Sequence, residues 1–254
     1  MKLVTVSLGN ACIKNPRCSF CYLKDQEERS YFHPKYYLEN LFEKEPKFTM
    51  TICYEYCGLK ILDMAPIEGH LDLIRNVTTM PQAINKVTVK HFKAIDIKHI
   101  ALSYDSQKCP DIKIWTDAAR IIRKYYDTLS CNYLIENSAS FIIPPEIFAY
   151  CTQFNFLSLK SKDHTPRLMK DLLKMLHIII FDLKAKYPKI DIVCDNCLAI
   201  QLGYDSKCHA GEDFVLLNAD GKLEDCCFKD KCCYWTKNVG KVSLAKGEGV
   251  IDGL

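Results

Sequence analysis

The chain has 254 residues, 48% of them hydrophobic, and its 34 basic and 31 acidic side chains give a formal net charge of only +3. This balance predicts no nucleic-acid binding, and no apolar run reaches the ~18 residues of a membrane span. Because the chain starts with a strand-like pattern rather than a secretory signal, we expect a cytoplasmic protein whose 15 cysteines are reduced thiols.

Strand-like and helical segments alternate along the chain, which favours an α/β fold with parallel β/α units over a β-sandwich. The expected strands are 3–8, 48–54, 86–90, 99–104, 130–135 and 154–159. The expected helices are 36–44, 67–77, 115–129, a short one that opens at Pro144 and Pro145, and 166–187. From Cys194 onward the chain is rich in cysteine, so we place a domain boundary between residues 189 and 190.

Three cysteines, Cys12, Cys18 and Cys21, follow the first expected strand. Iron–sulfur clusters usually take four cysteines, and structural zinc sites close all four positions. No further cysteine occurs before Cys53, so the trio indicates a metal with one coordination position left for a substrate or cofactor. The alternative is a structural zinc site that a distant cysteine or His33 completes.

The spacing C-x5-C-x2-C after an apolar strand, with Phe20 before the last cysteine, resembles the radical S-adenosylmethionine superfamily. The commonest form of that motif, C-x3-C-x2-C, is shorter by two residues in its first interval. The resemblance implies a partial (β/α)6 TIM-like barrel, which six β/α units match. It also implies a [4Fe-4S] cluster on the three thiolates and S-adenosylmethionine on the fourth iron. An electron donor such as flavodoxin or ferredoxin would reduce the cluster, and the resulting 5′-deoxyadenosyl radical abstracts hydrogen from a substrate.

The resemblance also implies contacts to S-adenosylmethionine from polar residues at the ends of the strands. Tyr56, Cys57 and Gly58 follow the second strand, where the family commonly has Gly-Gly-Glu, and only one glycine is kept here. Ser103 and Asp105 end the strand 99–104, where the family contacts the ribose or the methionyl carboxylate. Three residues around the fifth strand are comparable candidates for such contacts, although solvent-exposed turn residues would show the same sequence pattern: Asn132, Glu136 and Asn137.

A second group of cysteines lies near the C-terminus, around a predicted hairpin. Phe214-Val-Leu-Leu is one strand, Ala219-Asp220-Gly221 a turn and Lys222-Leu-Glu the return. The hairpin brings Cys208 and Cys226 together at its open end. The interval from Cys208 through Gly221 to Cys226 resembles the opening of SPASM and twitch extensions, which carry auxiliary [4Fe-4S] clusters behind the substrate pocket.

The auxiliary ligands implied by this resemblance are Cys197, Cys208 and Cys226. The fourth position stays open among Cys194, Cys227, Cys232 and Cys233. A zinc knuckle is the alternative, because C-x2-C with later cysteines fits that site too. We expect the other cysteines to pack as small apolar side chains: Cys53, Cys109, Cys131 and Cys151.

Together the two resemblances imply an oxidoreductase, a radical S-adenosylmethionine enzyme that oxidises or crosslinks a peptide or small molecule. Its auxiliary cluster would take up an electron or bind the substrate. We expect no leader-peptide recognition domain before Leu3, which weakens the peptide alternative without excluding it, since a partner can deliver the peptide. The competing hypothesis is a non-catalytic α/β binding protein in which zinc stabilises both cysteine groups.

Overall fold

The structure is a computed structural model, and it describes residues 2–7, 48–54, 74–105, 109–158, 170–205, 208–209, 212–217 and 223–224. The described strands are β1 (Lys2–Ser7), β2 (Phe48–Tyr54), β3 (Ile74–Thr79), β4 (His99–Tyr104), β5 (Ser130–Ile135), β6 (Gln153–Ser158), β7 (Asp191–Cys194), β8 (Phe214–Leu217) and β9 (Leu223–Glu224). The described α-helices are α1 (Lys86–Ala94), α2 (Ile112–Ile122), α3 (Lys170–Lys186) and α4 (Asn196–Gln201). Short 3₁₀ helices cover Pro81–Ala83, Ser138–Phe141 and Pro145–Ala149.

All nine described strands belong to one sheet, in the order β7-β6-β5-β4-β3-β2-β1-β8-β9. Strands β1 to β7 lie in chain order and pair in parallel, and β8 returns to the free side of β1, also in parallel. Only β9 runs antiparallel, against β8. The sheet confirms the predicted α/β class with successive parallel units, and it contains two parallel strands, β3 and β7, that the sequence pattern does not predict.

One face of the sheet forms the hydrophobic core with the helices. Residues that pair directly across parallel strands share a face, since side chains alternate along each strand. On this face the buried side chains of the central strands include Ile100, Leu102, Cys131, Tyr133, Phe154 and Phe156. They pack in one cluster with Val89 and Phe92 of α1 and with Trp115 and Ile122 of α2. The core therefore lies between the sheet and its helices.

Two of the predicted elements are wrong in type. Residues 86–90, predicted as a strand from the alternation of Val87 and Val89, form the first half of α1. The carboxamide of Asn85 accepts hydrogen bonds from Val87 N at 2.8 Å and Thr88 N at 3.0 Å, which satisfies amides at the helix start. Conversely, the described part of the predicted helix 67–77 is a strand, because residues 74–77 belong to β3. Residues 67–73 lie outside the described part.

The predicted C-terminal hairpin is confirmed in its two strands. Leu216 of β8 pairs with Glu224 of β9, whereas the predicted turn lies outside the described residues. Strand β8 docks against β1, where Val4 pairs with Val215 and both side chains are buried. The last described strands are thus part of the same sheet as the first. None of the described helices is long and apolar enough to cross a membrane.

Candidate functional site

The carboxyl ends of the parallel strands are where α/β sheets place their ligand sites. Strand β4 ends there with Ser103 and Tyr104, and Asp105 follows. Ser103 is 5% exposed and Asp105 only 2% exposed. A carboxylate buried this deeply requires polar partners, so the carboxyl end of β4 is a polar environment inside the fold. The structure thus places the two predicted cofactor contacts, Ser103 and Asp105, two residues apart at one strand end.

A cleft of about 140 Å³ opens beside Asp105. Its wall is formed by Tyr104, Asp105, Tyr133, Leu134, Asn137, Ala139, Ser140 and Ile142. The rings of Tyr104 and Tyr133 stack with their centroids 5.2 Å apart and form one side. Ligand pockets usually span about 300 Å³ or more, so this cleft takes only part of a cofactor or substrate.

Of the polar residues predicted around the fifth strand, Asn137 lies in the cleft and Asn132 does not line it. The Asn137 side chain accepts a hydrogen bond from Ala139 N at 2.9 Å. Ser140 Oγ accepts from Glu136 N at 3.0 Å and from Asn137 N at 3.3 Å. These bonds form a capping box that fixes the 3₁₀ helix 138–141. Asn137 therefore holds the cleft wall in place.

The face of the sheet opposite the core carries polar side chains in the middle of β4, β5 and β6. Ser103, Asn132 and Asn155 lie side by side there, in register on the three strands. Asn155 Nδ2 donates to Asn132 Oδ1 at 2.7 Å, and Gln153 Nε2 donates to Asn155 Oδ1 at 2.9 Å. Asn155 and Gln153 were not predicted. The signal that marks them is the period-two alternation with Phe154 and Phe156, polar on one face and aromatic on the other.

The N-terminal cysteine trio lies outside the described residues, and so does Phe20. In the sequence, Cys12 comes five residues after Ser7, the last residue of β1. The predicted contacts after β2 are also outside the described part: Tyr56, Cys57 and Gly58. All of these assignments stay predictions.

The predicted auxiliary ligands Cys197 and Cys208 are each next to a residue of one hydrogen-bonded group. His209 N donates to Asn196 Oδ1 at 3.1 Å, and Asn196 Nδ2 donates to Asp205 Oδ2 at 3.3 Å. The same Asp205 oxygen lies 3.0 Å from His209 Nε2. These contacts hold the segment of Cys197 against the segment of Cys208, although the two cysteines are eleven positions apart.

Cys194, a candidate for the fourth auxiliary position, ends β7 and packs against the hydrophobic core. Burial, and to a lesser extent the neighbouring Asp195 carboxylate, raises the pKa of its thiol to about 12. Within the described residues, no three His, Cys, Asp or Glu side chains are grouped so that they could hold a metal ion. Cys226 and Cys232 lie outside the described part, so the auxiliary ligand set stays a prediction.

Asp195 is a structural residue of this region that the sequence analysis missed. Its carboxylate accepts from Leu198 N at 2.7 Å and thereby caps α4. It also accepts from Ser158 N and Ser158 Oγ, both at 3.1 Å. Asp195 thus ties the carboxyl end of β6 to the start of α4, the helix that carries Cys197. An aspartate just before a short apolar run is the N-cap signal that could have identified it.

The remaining described cysteines pack as predicted. Cys109, Cys131 and Cys151 all have buried side chains in the core. Burial raises the pKa of Cys131 well above its usual range and raises that of Cys151 to about 12. Neutral thiols of this kind are poor nucleophiles and metal ligands. The side chain of Cys53 lies outside the described part.

No protein-family model matches the chain, and no curated protein matches it at a significant level. Solved structures do match. SuiB of Streptococcus suis bound to S-adenosylmethionine has a TM-score of 0.63 at 14% identity, over 89% of this chain and 58% of SuiB. Native anSMEcpe with bound AdoMet and the Kp18Cys peptide has a TM-score of 0.56 at 14% identity, over 90% of this chain and 75% of that chain.

HydG, a maturase of the [FeFe]-hydrogenase, has a TM-score of 0.50 at 13% identity, over 76% of this chain and 56% of HydG. The chain therefore spans less than two thirds of the length of SuiB and of HydG. These neighbours are radical S-adenosylmethionine enzymes, which agrees with the resemblance found in the cysteine spacing. At identities this low the likeness establishes the fold, and on that evidence the chain has the partial (β/α)6-barrel fold of the radical S-adenosylmethionine enzymes.

Proposed function

We propose that this protein is a radical S-adenosylmethionine enzyme that oxidatively modifies a peptide. The observation that carries the proposal is the position of the cysteine trio. Cys12, Cys18 and Cys21 follow β1 in the sequence, in a chain whose sheet has the fold of these enzymes. A structural zinc site has no reason to follow that strand, whereas barrel enzymes place their chemistry after strand ends.

In this proposal the chain's own residues bind and enclose the reactants. Cys12, Cys18 and Cys21 would hold a [4Fe-4S] cluster, since three thiolates leave one iron for S-adenosylmethionine. When bound, these two groups supply a 5′-deoxyadenosyl radical for hydrogen abstraction. Ser103 and Asp105 would bind polar groups of S-adenosylmethionine at the end of β4 and orient it. The apolar core behind the sheet excludes water from one side of the site.

A peptide is the substrate class that we favour. SuiB has been solved with its precursor peptide SuiA, and anSMEcpe with the Kp18Cys peptide. In this chain the polar face of β4 to β6 presents carboxamides and a hydroxyl in mid-strand, which match the amides of a peptide. A small-molecule substrate is the alternative within the same chemistry.

A second cluster would complete the enzyme. The contacts among Asn196, Asp205 and His209 hold the segments of Cys197 and Cys208 together, and Cys226 follows β9 by two residues. We therefore propose a barrel in residues 1–189 and a SPASM/twitch-like extension in residues 190–254 that binds an auxiliary [4Fe-4S] cluster. The site would operate in the cytoplasm with a flavodoxin or ferredoxin as electron donor.

The proposal is tested by anaerobic reconstitution with iron and sulfide, followed by dithionite and S-adenosylmethionine. The wild-type protein should absorb near 400 nm and release 5′-deoxyadenosine. Cys18→Ala should abolish 5′-deoxyadenosine formation, because two thiolates no longer hold the cluster. Cys151→Ala is the matched control, since it removes a thiol that packs in the core, and it should retain the activity.

Two results would contradict the proposal. One is a protein that takes up only zinc at both cysteine groups under these conditions, which would favour the zinc-stabilised binding protein. The other is undiminished cleavage in Cys18→Ala, which would remove that cysteine from the ligand set.

A further inference from the structure

A continuous chain of hydrogen bonds runs across β4, β5 and β6 on the face of the sheet opposite the core. It begins at the amino ends of the strands with His99 Nδ1, 3.1 Å from Thr128 Oγ1, and His99 Nε2, 2.6 Å from Ser130 Oγ. Ser130 Oγ donates to Gln153 Oε1 at 3.2 Å. From Gln153 the chain continues through Asn155 to Asn132, in the middle of the sheet.

The proton positions in this chain follow from the orientation of the Gln153 carboxamide, whose Oε1 faces Ser130. Ser130 has a single hydroxyl proton, and that proton is donated to Gln153. Ser130 Oγ can therefore only accept from His99, so His99 carries its proton on Nε2. Its Nδ1 then accepts from the Thr128 hydroxyl. Burial lowers the pKa of His99, which keeps the imidazole neutral at pH 7 and preserves this arrangement.

Every donor in the chain consequently points toward Asn132. Gln153 donates to Asn155, and Asn155 donates to Asn132 Oδ1. Because Oδ1 of Asn132 is taken, its carboxamide cannot turn over without losing that bond. The Nδ2 group has no hydrogen-bond acceptor among the described residues, and the side chain is half-buried. Asn132 therefore presents a donor whose direction the rest of the network fixes.

The surroundings of this donor are polar and uncharged. Ser103 and Asn155 flank Asn132 in register. The described charged residues on this face of β4 to β7 lie at its ends: Asp191 at the amino end of β7, Asp105 just past β4 and Glu136 just past β5. Phosphate and carboxylate ligands are usually met by arginine or lysine, and the described middle of the face has neither. A neutral carbonyl oxygen suits this position better than an anion.

We infer that Asn132 is a specificity-determining residue whose Nδ2 donates a hydrogen bond to a neutral backbone carbonyl of a peptide substrate. The inference rests on the proposed function and names the group that would recognise the substrate. A donor held in place by five hydrogen bonds loses little freedom when the peptide binds, so it favours a correctly placed carbonyl over other groups.

Two variants replace the hydrogen-bond donor at Asn132 Nδ2 by an acceptor, each in a different way. Asn132→Asp keeps one oxygen to accept from Asn155 Nδ2 and places a second oxygen, an acceptor, where Nδ2 was. Asn155→Asp still accepts from Gln153 but no longer donates to position 132. Its carboxylate attracts Asn132 Nδ2, so the Asn132 carboxamide turns over and its oxygen faces the substrate. The second variant tests the same inversion without a change at Asn132, should Asn132→Asp fail to fold.

The matched control is Asn85→Asp, the same isosteric change at an exposed helix cap. Its side chain only accepts, from Val87 N and Thr88 N, so a carboxylate keeps both bonds. The probe is a set of short, capped peptides without charged side chains, each labelled with a fluorophore. Binding to the reconstituted protein is measured by fluorescence anisotropy in the presence of S-adenosylmethionine and without reductant, so that no turnover is needed.

We expect peptides of this set to bind the wild-type protein and the Asn85→Asp variant equally. Both inverting variants should raise the dissociation constant at least about tenfold, the change typical of losing one good hydrogen bond and adding a repulsive acceptor. Unchanged peptide affinity in either folded variant would overturn the inference. So would an equal loss of affinity for S-adenosylmethionine, which would make Asn132 a contact of the cofactor rather than of the peptide. So would a wild-type protein that forms 5′-deoxyadenosine but binds none of the peptides, a result that leaves the proposed radical chemistry intact and favours the small-molecule substrate. Failure to form 5′-deoxyadenosine at all counts against the proposed function instead.

Discussion

Two histidines, His91 of α1 and His99 of β4, make the stability of the protein depend on pH. Burial lowers the pKa of both imidazoles, and His91 Nε2 is buried without a hydrogen-bond partner among the described residues. The folded state therefore disfavours their protonation, while the unfolded chain protonates near pH 6.5. Their contribution to the free energy of unfolding is complete above about pH 6.5 and is lost as the pH falls from there toward the lowered folded-state values.

Urea unfolding at several pH values between about 5 and 8 measures this dependence, because the midpoint should move to lower urea as the pH falls. The double variant His91→Gln/His99→Gln should show a flatter dependence over the same range. The carboxylates of Asp96 and Asp117, whose pKa values are lowered by hydrogen bonds from Lys98 and Lys113, change protonation only below about pH 4. A double variant with the same pH dependence as the wild type would show that other groups cause the effect.

At the scale of elements, the sequence predicts the central strands well and one helix badly. Residues 130–135 and 99–104 were predicted with the bounds that the structure gives. In α1 the alternation of Val87 and Val89 imitates a strand, yet Val87 is 77% exposed while Val89 and Phe92 are buried. That spacing of three is helical. In a segment this short, the contacts with the rest of the core decide between helix and strand, and the sequence pattern alone does not contain them.

The residues of the candidate site were likewise predictable only in part. Ser103, Asp105 and Asn132 could be found from the sequence, because polar residues in or after an apolar strand are conspicuous. Their partners could not. Asn155 meets Asn132 only through the register of β5 against β6, and residue spacing gives no information on register between strands that are 23 positions apart.

Trp115 of helix α2 is the largest fully buried side chain among the described residues, and it packs in the core cluster between the helix and the sheet. Trp115→Ala should lower the free energy of unfolding by about 3–5 kcal/mol, the usual cost of emptying such a site. Trp115→Phe should cost clearly less. It keeps much of the apolar contact and removes the indole N–H, which has no acceptor within the described part of the chain.

Equilibrium urea unfolding followed by far-UV circular dichroism measures both Trp115 variants. Met175→Ala is a suitable control, since Met175 of α3 is 45% exposed and should change the midpoint little. Equal losses in Trp115→Ala and Trp115→Phe would mean that the indole N–H finds a partner and that its hydrogen bond, rather than packing, holds α2.

At the scale of the whole molecule, the sheet joins the two ends of the described chain. Strand β8 pairs with β1, and the amide of Leu3 donates to Asp213 O at 2.8 Å. The cysteine trio follows β1 in the sequence, and Cys208 precedes β8. Because β1 and β8 are parallel, the trio follows the carboxyl end of β1 whereas Cys208 precedes the amino end of β8. The two cysteine groups therefore adjoin neighbouring strands at opposite ends.

This arrangement predicts two clusters that load separately. Cys208→Ala should lower the iron content of the reconstituted protein by about four atoms per chain, and Cys18→Ala should do the same, because each change disables one [4Fe-4S] site. The double variant should lose both. Only Cys208→Ala should retain 5′-deoxyadenosine formation, since the N-terminal trio is intact, while the yield of oxidised peptide falls. Iron and sulfide analysis with electron paramagnetic resonance of the reduced proteins measures the loading. If Cys208→Ala keeps the full iron content, Cys208 is not an auxiliary ligand, and the contact between Asn196 and His209 only stabilises the fold.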